Sequence, residues 1–156
     1  MNDLKVKVSV FIVFIVLYFI LFTDFTSVTV TEVTDGDSVT VNYSEKVRLG
    51  HIDAPEWNQP YGKEASERVK ELALNKRVKI KRSGKDKYGR TLAEIYLADG
   101  SNLNHRLVQE GLAWHYRQFS NNRFYQQLEF EARAKRRGLW KDTNPTAPWN
   151  WRRGMR

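Results

Sequence analysis

Four carboxylates and two arginines stand close to the ends of short β-branched runs. Asp35-Gly36-Asp37 puts two acids at a tight turn, and Asp53-Ala54-Pro55-Glu56 puts two more at the end of a predicted strand. Arg48 lies on the strand leading into Asp53, and Arg90 ends a loop before a later strand. Phosphodiester hydrolysis needs a group that activates water, positive charge on the phosphate oxygens, and a frame that holds both in line. A hard cation such as Ca²⁺ does part of this and takes oxygen ligands, mainly carboxylates and carbonyls. Arginine suits phosphate because its planar fork can make two charge-assisted bonds at once. Each piece has a plain structural reading: a hairpin turn, a surface arginine, a loop with a helix cap. The joint arrangement points instead to chemistry on phosphate.

Three histidines offer other chemistry. His51, His105 and His115 are not in metal-ligand spacing with one another. His51 is read as structural on the third strand and His105 as a residue of the second helix. His115, between Trp114 and Tyr116, is read as a candidate for substrate contact. None of the three is read as catalytic.

These side chains need a small frame. Ser27–Val33, Ser38–Tyr43 and Lys46–Ile52 read as strands, the first two joined at Asp35-Gly36. A helix is predicted near Lys63–Leu74, with Ala65, Val69, Leu72 and Ala73 on one face. Arg77–Arg82 and Thr91–Leu97 read as strands four and five. Ser101 is a candidate cap for a helix over Asn102–Glu110, which Gly111 can end. A third helix, about Asn122–Arg137, places Phe124, Leu128 and Ala132 on one stripe. Three strands, a helix, two strands and further helices predict an α+β domain: a five-stranded OB-type barrel with about three helices.

The chain has 156 residues and a formal net charge of +8. That length suits one domain with a sizeable core. Asp3, Asp24, Lys5 and Lys7 cancel within the first 24 residues, so the excess lies on the rest. A basic, aromatic-rich domain suits an anionic partner, either nucleic acid or an anionic membrane surface, although solubility alone also accounts for the charge. The absence of cysteine excludes disulfides, thiolate metal sites and a cysteine nucleophile.

At the N-terminus, Lys5 and Lys7 precede an apolar run from Val8 to Phe22 broken only by Ser9. This reads as a signal peptide or a signal anchor. Thr23–Thr26 form no convincing small-residue cleavage site, so an uncleaved anchor is favoured, with the domain outside. Three regions are expected: 1–26 as anchor or signal, 27–141 as the barrel domain and 142–156 as a basic, Trp-rich tail. The tail's Trp149 and Trp151, with Arg152, Arg153 and Arg156, could stack on and neutralise nucleic acid. The reading favoured here packs the tryptophans on the barrel and leaves the arginines solvated.

The motifs T-D-G-D-S-V at Thr34–Val39, V-R-L-G-H-I-D-A-P-E at Val47–Glu56 and D-K-Y-G-R at Asp86–Arg90 resemble the staphylococcal-nuclease-like, or thermonuclease, family. So do L-A-E-I-Y at Leu92–Tyr96, the G-L-A opening Gly111–Tyr116, R-G-L-W at Arg137–Trp140 and the A-P-W-N-W-R-R ending at Ala147–Arg153. The resemblance covers nearly everything from Val28 onward. It implies an OB barrel and a calcium-dependent endonuclease that cleaves DNA and RNA to leave 3′-phosphates, single strands preferred. No obligate protein partner is expected.

By the same resemblance Asp37 and Asp53 are calcium carboxylates, and Ala54 gives a backbone carbonyl. Glu56 orients or deprotonates the attacking water. Arg48 and Arg90 grip the phosphate, Asp35 stands just behind the metal, and Lys87, Tyr88 and Tyr116 lie near the nucleotide. A catalytically dead binding module of this fold usually loses an acidic ligand or an arginine; this chain keeps Asp37, Asp53, Glu56, Arg48 and Arg90. A lipid-binding basic face explains the charge but not the placement of the acids.

Overall fold

The structure is a computed structural model and describes residue 8, residues 10–14 and residues 25–155. The strands are β1 (Phe25–Asp35), β2 (Ser38–Val41), β3 (Glu45–Leu49), β4 (Ile52–Asp53), β5 (Arg77–Lys85), β6 (Thr91–Tyr96) and β7 (Trp114–His115). Five of them close into a barrel in the order β1-β2-β3-β6-β5, while β4 and β7 form a separate two-stranded ribbon. The only parallel barrel pair is β3 with β6, where Leu49 faces Ala93. β1 is long enough to serve two neighbours: residues Phe25 to Thr29 pair with β5, and Val30 to Asp35 pair with β2 across two irregularities in register. Alternation along the strands sends Val28, Val30, Val39, Val41, Val47, Leu49, Val78, Ile80, Ala93 and Ile95 inward.

From β1 onward the helices are α1 (Gly62–Ala73), α2 (Leu103–Gln109), α3 (Arg123–Ala134) and the single turn α4 (Pro148–Trp151), with a 3₁₀ turn at Gly138–Lys141. α1 buries Ala65, Val69 and Ala73 against the barrel, with Leu72 half-buried beside them. A second, smaller core gathers Trp114, Ala132, Leu139, Trp140 and Ala147, with Tyr61 and Trp149 packed on it. The expected five-stranded α+β barrel is therefore present.

Several boundaries differ, each for a local reason. The third strand stops at Leu49 because the chain turns at Gly50-His51; His51 has φ 68°. Ile52 and Asp53 then leave the barrel wall to pair with His115 and Trp114. The second strand stops at Val41 because Asn42 and Tyr43 take left-handed conformations. Asn102, not Ser101, caps α2, its side-chain oxygen accepting the His105 N–H at 3.1 Å. α3 ends at Ala134, and Arg136 turns the chain with φ 48°. On α3 the inward stripe is Tyr125, Leu128, Glu129 and Ala132, and Phe124 is exposed.

The Val8–Phe22 run falls only partly among the described residues. Residues 8 and 10–14 are helical and exposed, and the remainder, with Lys5, Lys7, Thr23 and Asp24, lies outside them, as does Arg156. Among the described residues no helix is long and apolar enough to cross a membrane.

Asn104 ties the helices to the barrel where the third strand ends. Fully buried, its side-chain oxygen accepts the Ile95 N–H at 3.2 Å, and its amide donates to Gly50 O at 3.0 Å and Ala93 O at 3.2 Å. Truncation leaves buried backbone groups unpaired, at about 1–3 kcal/mol each. Asn104→Ala is therefore expected to lower unfolding free energy by about 2–4 kcal/mol in a urea titration. A loss within error of zero would show that these bonds do not hold the turn.

Candidate active site

The turn at Gly50-His51 brings the two acidic motifs together. Arg48 points from β3 toward that turn, and its Nη1 donates to the carbonyls of Leu49 and Ile52, each at 3.0 Å. Its Nη2 lies 2.8 Å from Asp37 Oδ2 and 2.7 Å from Asp53 Oδ1. One guanidinium thus joins the carboxylates of both motifs. Both acids are buried, Asp37 at 5% and Asp53 at 1% exposure.

The Asp37 turn is fixed by its own backbone and by its neighbours. Leu49 N–H donates to Asp37 O at 2.8 Å, Ala54 N–H to Asp37 Oδ2 at 2.6 Å, and Asp37 N–H to Asp35 Oδ1 at 3.0 Å. Asp35 therefore supports the turn from behind. A Cβ on Gly36 would stand 2.7 Å from Ala65 Cβ and 2.8 Å from Ala54 Cβ, so this turn packs directly on α1 and on the Asp53-Ala54 segment. Burial pushes the Asp37 carboxyl up to about 8; Arg48 pulls the other way, and the charges of Asp35 and Asp53 add to the push.

Arg90 approaches the same carboxylate from the loop after β5. Its Nε bonds Asp86 Oδ2 at 2.7 Å and its Nη1 reaches Ser38 Oγ at 3.3 Å, while Ser38 donates to Asp37 Oδ1 at 3.1 Å. Lys87 and Tyr88 are exposed on this loop, with the Lys87 ammonium 5.0 Å and the Arg90 guanidinium 5.7 Å from the Tyr88 ring centre. Glu56 lies in the loop before α1, its N–H donating to Gln59 Oε1 at 3.1 Å. Gln59 also donates to Thr146 O at 2.6 Å, which links the Glu56 loop to the C-terminal segment. Tyr116 stands at the tail side, stacked on Trp149 with centroids 5.4 Å apart.

The histidines are structural. His51 Nδ1 and His115 Nε2 share Ser120 Oγ at 2.8 and 2.9 Å, and His105 stands 3.6 Å from Glu94. His115 is fully buried, so the expectation that it could touch substrate is corrected: its ring packs by Tyr125 beneath the ribbon.

Sequence reasoning missed one residue here. The tail tryptophans do pack, Trp149 on Trp114 and Tyr116, and Trp151 Nε1 bonds Asn58 Oδ1 at 3.2 Å. Arg152, expected in solvent, instead lies on the acids: Nη2 is 2.8 Å from Asp53 Oδ2 and Nη1 is 2.6 Å from Glu56 Oε1. No local pattern in the sequence signalled this, because the contacts join Arg152 to Asp53 and Glu56 across 99 and 96 residues of chain.

A sequence model of the family described as staphylococcal nuclease homologue matches residues 46–142. The chain belongs to this family. An uncharacterised endonuclease of Haemophilus influenzae is 43% identical over 128 residues, covering 80% of this chain and 71% of the relative. A similar protein of Escherichia coli O157:H7, also named as an uncharacterised endonuclease, is 41% identical over 126 residues, 79% of this chain and 82% of its own. A micrococcal nuclease of Shigella flexneri is 37% identical over 140 residues, covering 81% of this chain and 80% of the relative. The resemblance carried by the motifs is thereby confirmed at the level of family and fold.

In this nuclease homologue the Glu56 loop is held by close backbone contact. A Cβ on Gly62 would fall 1.8 Å from Glu56 O and 3.2 Å from Pro55 O. Gly62→Ala must therefore displace the loop, at about 1–3 kcal/mol of overpacking. A misplacement on the ångström scale costs about 100-fold in rate, so the folded variant is expected to turn over about 10–100-fold more slowly at temperatures well below its melting point. Unchanged kcat in a folded variant would mean that the position of Glu56 does not govern the reaction.

Proposed function

We propose that this chain is a calcium-dependent, sugar-nonspecific endonuclease that hydrolyses DNA and RNA to 3′-phosphate ends, with single strands preferred. The enzyme class, a hydrolase of phosphodiester bonds, follows from family membership and from relatives named as endonucleases and a micrococcal nuclease. The observation that carries the finer reading is the meeting of buried Asp37 and Asp53 at one guanidinium.

The donor set suits a hard cation. Two buried carboxylates converge, and the positive groups found on them are guanidiniums, which mark where cationic charge is needed. Asp37 and Asp53 would hold the ion with the Ala54 carbonyl. Among the described residues no group of three or more His, Asp or Glu side chains is gathered for a metal, so water and phosphate oxygens would complete the shell. When bound, the cation would supply charge to the phosphate and lower the cost of deprotonating water.

The chain's own residues do the rest. Glu56, in the loop at the rim, would take a proton from water. Arg48 and Arg90 approach Asp37 at its two oxygens, the second through Ser38, and would bracket a phosphate seated there. Both are asked to stabilise the charge that builds on the phosphoryl oxygens in the transition state. Water would attack phosphorus as its proton passes to Glu56, the bond to the 5′ oxygen would break, that oxygen would take a proton from solvent and leave as a hydroxyl, and the phosphate would stay on the 3′ side. Lys87, Tyr88 and Tyr116 would meet the nucleotide chain around this centre.

The decisive experiment incubates the purified chain with single-stranded DNA, with calcium and with a chelator. Cleavage with calcium alone is expected, and Glu56→Gln should slow it about 10²–10⁴-fold while binding stays within a few-fold. Binding without cleavage under all conditions would leave a non-catalytic nucleic-acid-binding module.

The apolar run Val8–Phe22 and the preceding lysines support a membrane anchor that places the barrel outside the cell, with secretion as the outcome if the segment is cleaved. Cell fractionation with mass spectrometry of the N-terminus is expected to find the protein in membranes or in the medium. Activity confined to the cytosolic fraction would refute both.

A further inference from the structure

The C-terminal segment is anchored where it meets the acids. Ala147 is buried in the second core, Trp149 packs on Trp114 and Tyr116, and Gln59 holds Thr146 O. α4 then delivers Arg152 to the carboxylates. Asp53 has both oxygens engaged: Oδ1 by Arg48 at 2.7 Å and by Arg152 Nη1 at 3.3 Å, and Oδ2 by Arg152 Nη2 at 2.8 Å. The same Nη1 holds Glu56 Oε1 at 2.6 Å.

We propose that Arg152 is a positioning residue of the site, a tethered cation that holds Asp53 and Glu56 until a divalent cation displaces it, and so sets the affinity for that cation. The inference rests on the cation reading above. A calcium ion on Asp53 would bond carboxylate oxygen at about 2.3–2.6 Å and so stand within a few ångströms of the Arg152 guanidinium, which lies 2.8 Å from Asp53 Oδ2. The repulsion between the two positive charges at that range sets them in competition for Asp53 and Glu56. The guanidinium has a way out, because the Arg152 side chain is 41% exposed while Asp53 is 1% exposed. The tryptophans can keep α4 in place as the side chain swings away. Its departure frees Glu56 in the same movement, so arrival of the cation and release of the water-activating group become one event. Before that, the guanidinium keeps two acids from repelling each other at the rim.

The test is titration calorimetry of calcium into the full-length protein without nucleotide, using wild type, Arg152→Ala, Arg152→Lys, Arg153→Ala and Asp37→Ala. Charge-assisted contacts that are partly exposed support an expectation of about three- to thirtyfold tighter calcium binding by Arg152→Ala. Arg152→Lys should tighten it less, since the charge remains without the fork. Arg153→Ala should match wild type and shows that the tail still folds. Equal or weaker binding by Arg152→Ala, with Asp37→Ala abolishing binding, overturns the role of Arg152 and leaves the cation reading standing. No calcium binding by wild type or by any variant, in this titration and in its repeat with a mononucleotide present, overturns the cation reading and this inference with it.

Discussion

Arg48 is the joint on which the site closes. Its guanidinium takes two carbonyls of the chain reversal with one nitrogen and two carboxylates from different motifs with the other. The side chain is mostly buried, at 11% exposure, so these bonds act with little screening by water. Removing it would leave two buried acids and two carbonyls short of a partner, and breaking such a buried pair costs about 3–5 kcal/mol. The reversal at Gly50-His51, the ribbon of β4 with β7 and the inward turn of Asp53 follow from this one geometry. A straight β3 would have carried Asp53 along the barrel wall and away from Asp37.

Concentrating acids in a dry place is unfavourable, and the fold offsets it with cations from separate segments. Arg48 comes from the barrel, Arg90 from the loop after β5, and Arg152 from the last helical turn. Each also has a role in local structure: Arg90 closes its own loop on Asp86 through the side chain and the backbone N–H. Burial and its acidic neighbours push the Asp37 carboxyl up while Arg48 pulls it down, so acids and guanidiniums are set against one another within one small space.

Much of this was legible from residue types. Inward alternation on the strands marked the barrel, and Ala65, Val69 and Ala73 marked the buried face of α1. Asp37, Asp53, Arg48 and Arg90 could be paired because β2 and β3 are neighbours, with Ser38 opposite Arg48. The errors have physical causes. Propensity extends a β-branched run through Gly50-His51-Ile52, since it cannot see that Arg48 and Asn104 reward a turn there by bonding its carbonyls. Phe124 looked like the core residue of α3, yet the inward position falls one residue later, where the Tyr125 hydroxyl reaches Glu94. Two-residue strands such as β7 have no periodicity to read. The placement of Arg152 depends on contacts about a hundred residues apart in sequence, which no local pattern encodes.

The second core explains why the tail is seated on the barrel instead of hanging from it. Arg133, held by Glu129, lies with its guanidinium 3.6 Å from the Trp140 ring centre and 4.8 Å from that of Trp114. Glu129 is nearly fully buried and also accepts the His115 N–H at 3.1 Å, so one carboxylate orders both the ribbon and the aromatic cluster. Trp114 is shared: its backbone pairs with Asp53 in β4, and its ring meets Trp140 and Trp149. The strand that positions a buried acid is thus the same strand on which the tail is seated. Aromatic contacts of this kind contribute about 0.5–1.5 kcal/mol each beyond the area they bury, and they fix a basic side chain over an acidic site without a long helix or a covalent link. A short tail on a small barrel can in this way hold a charged side chain against a buried acid.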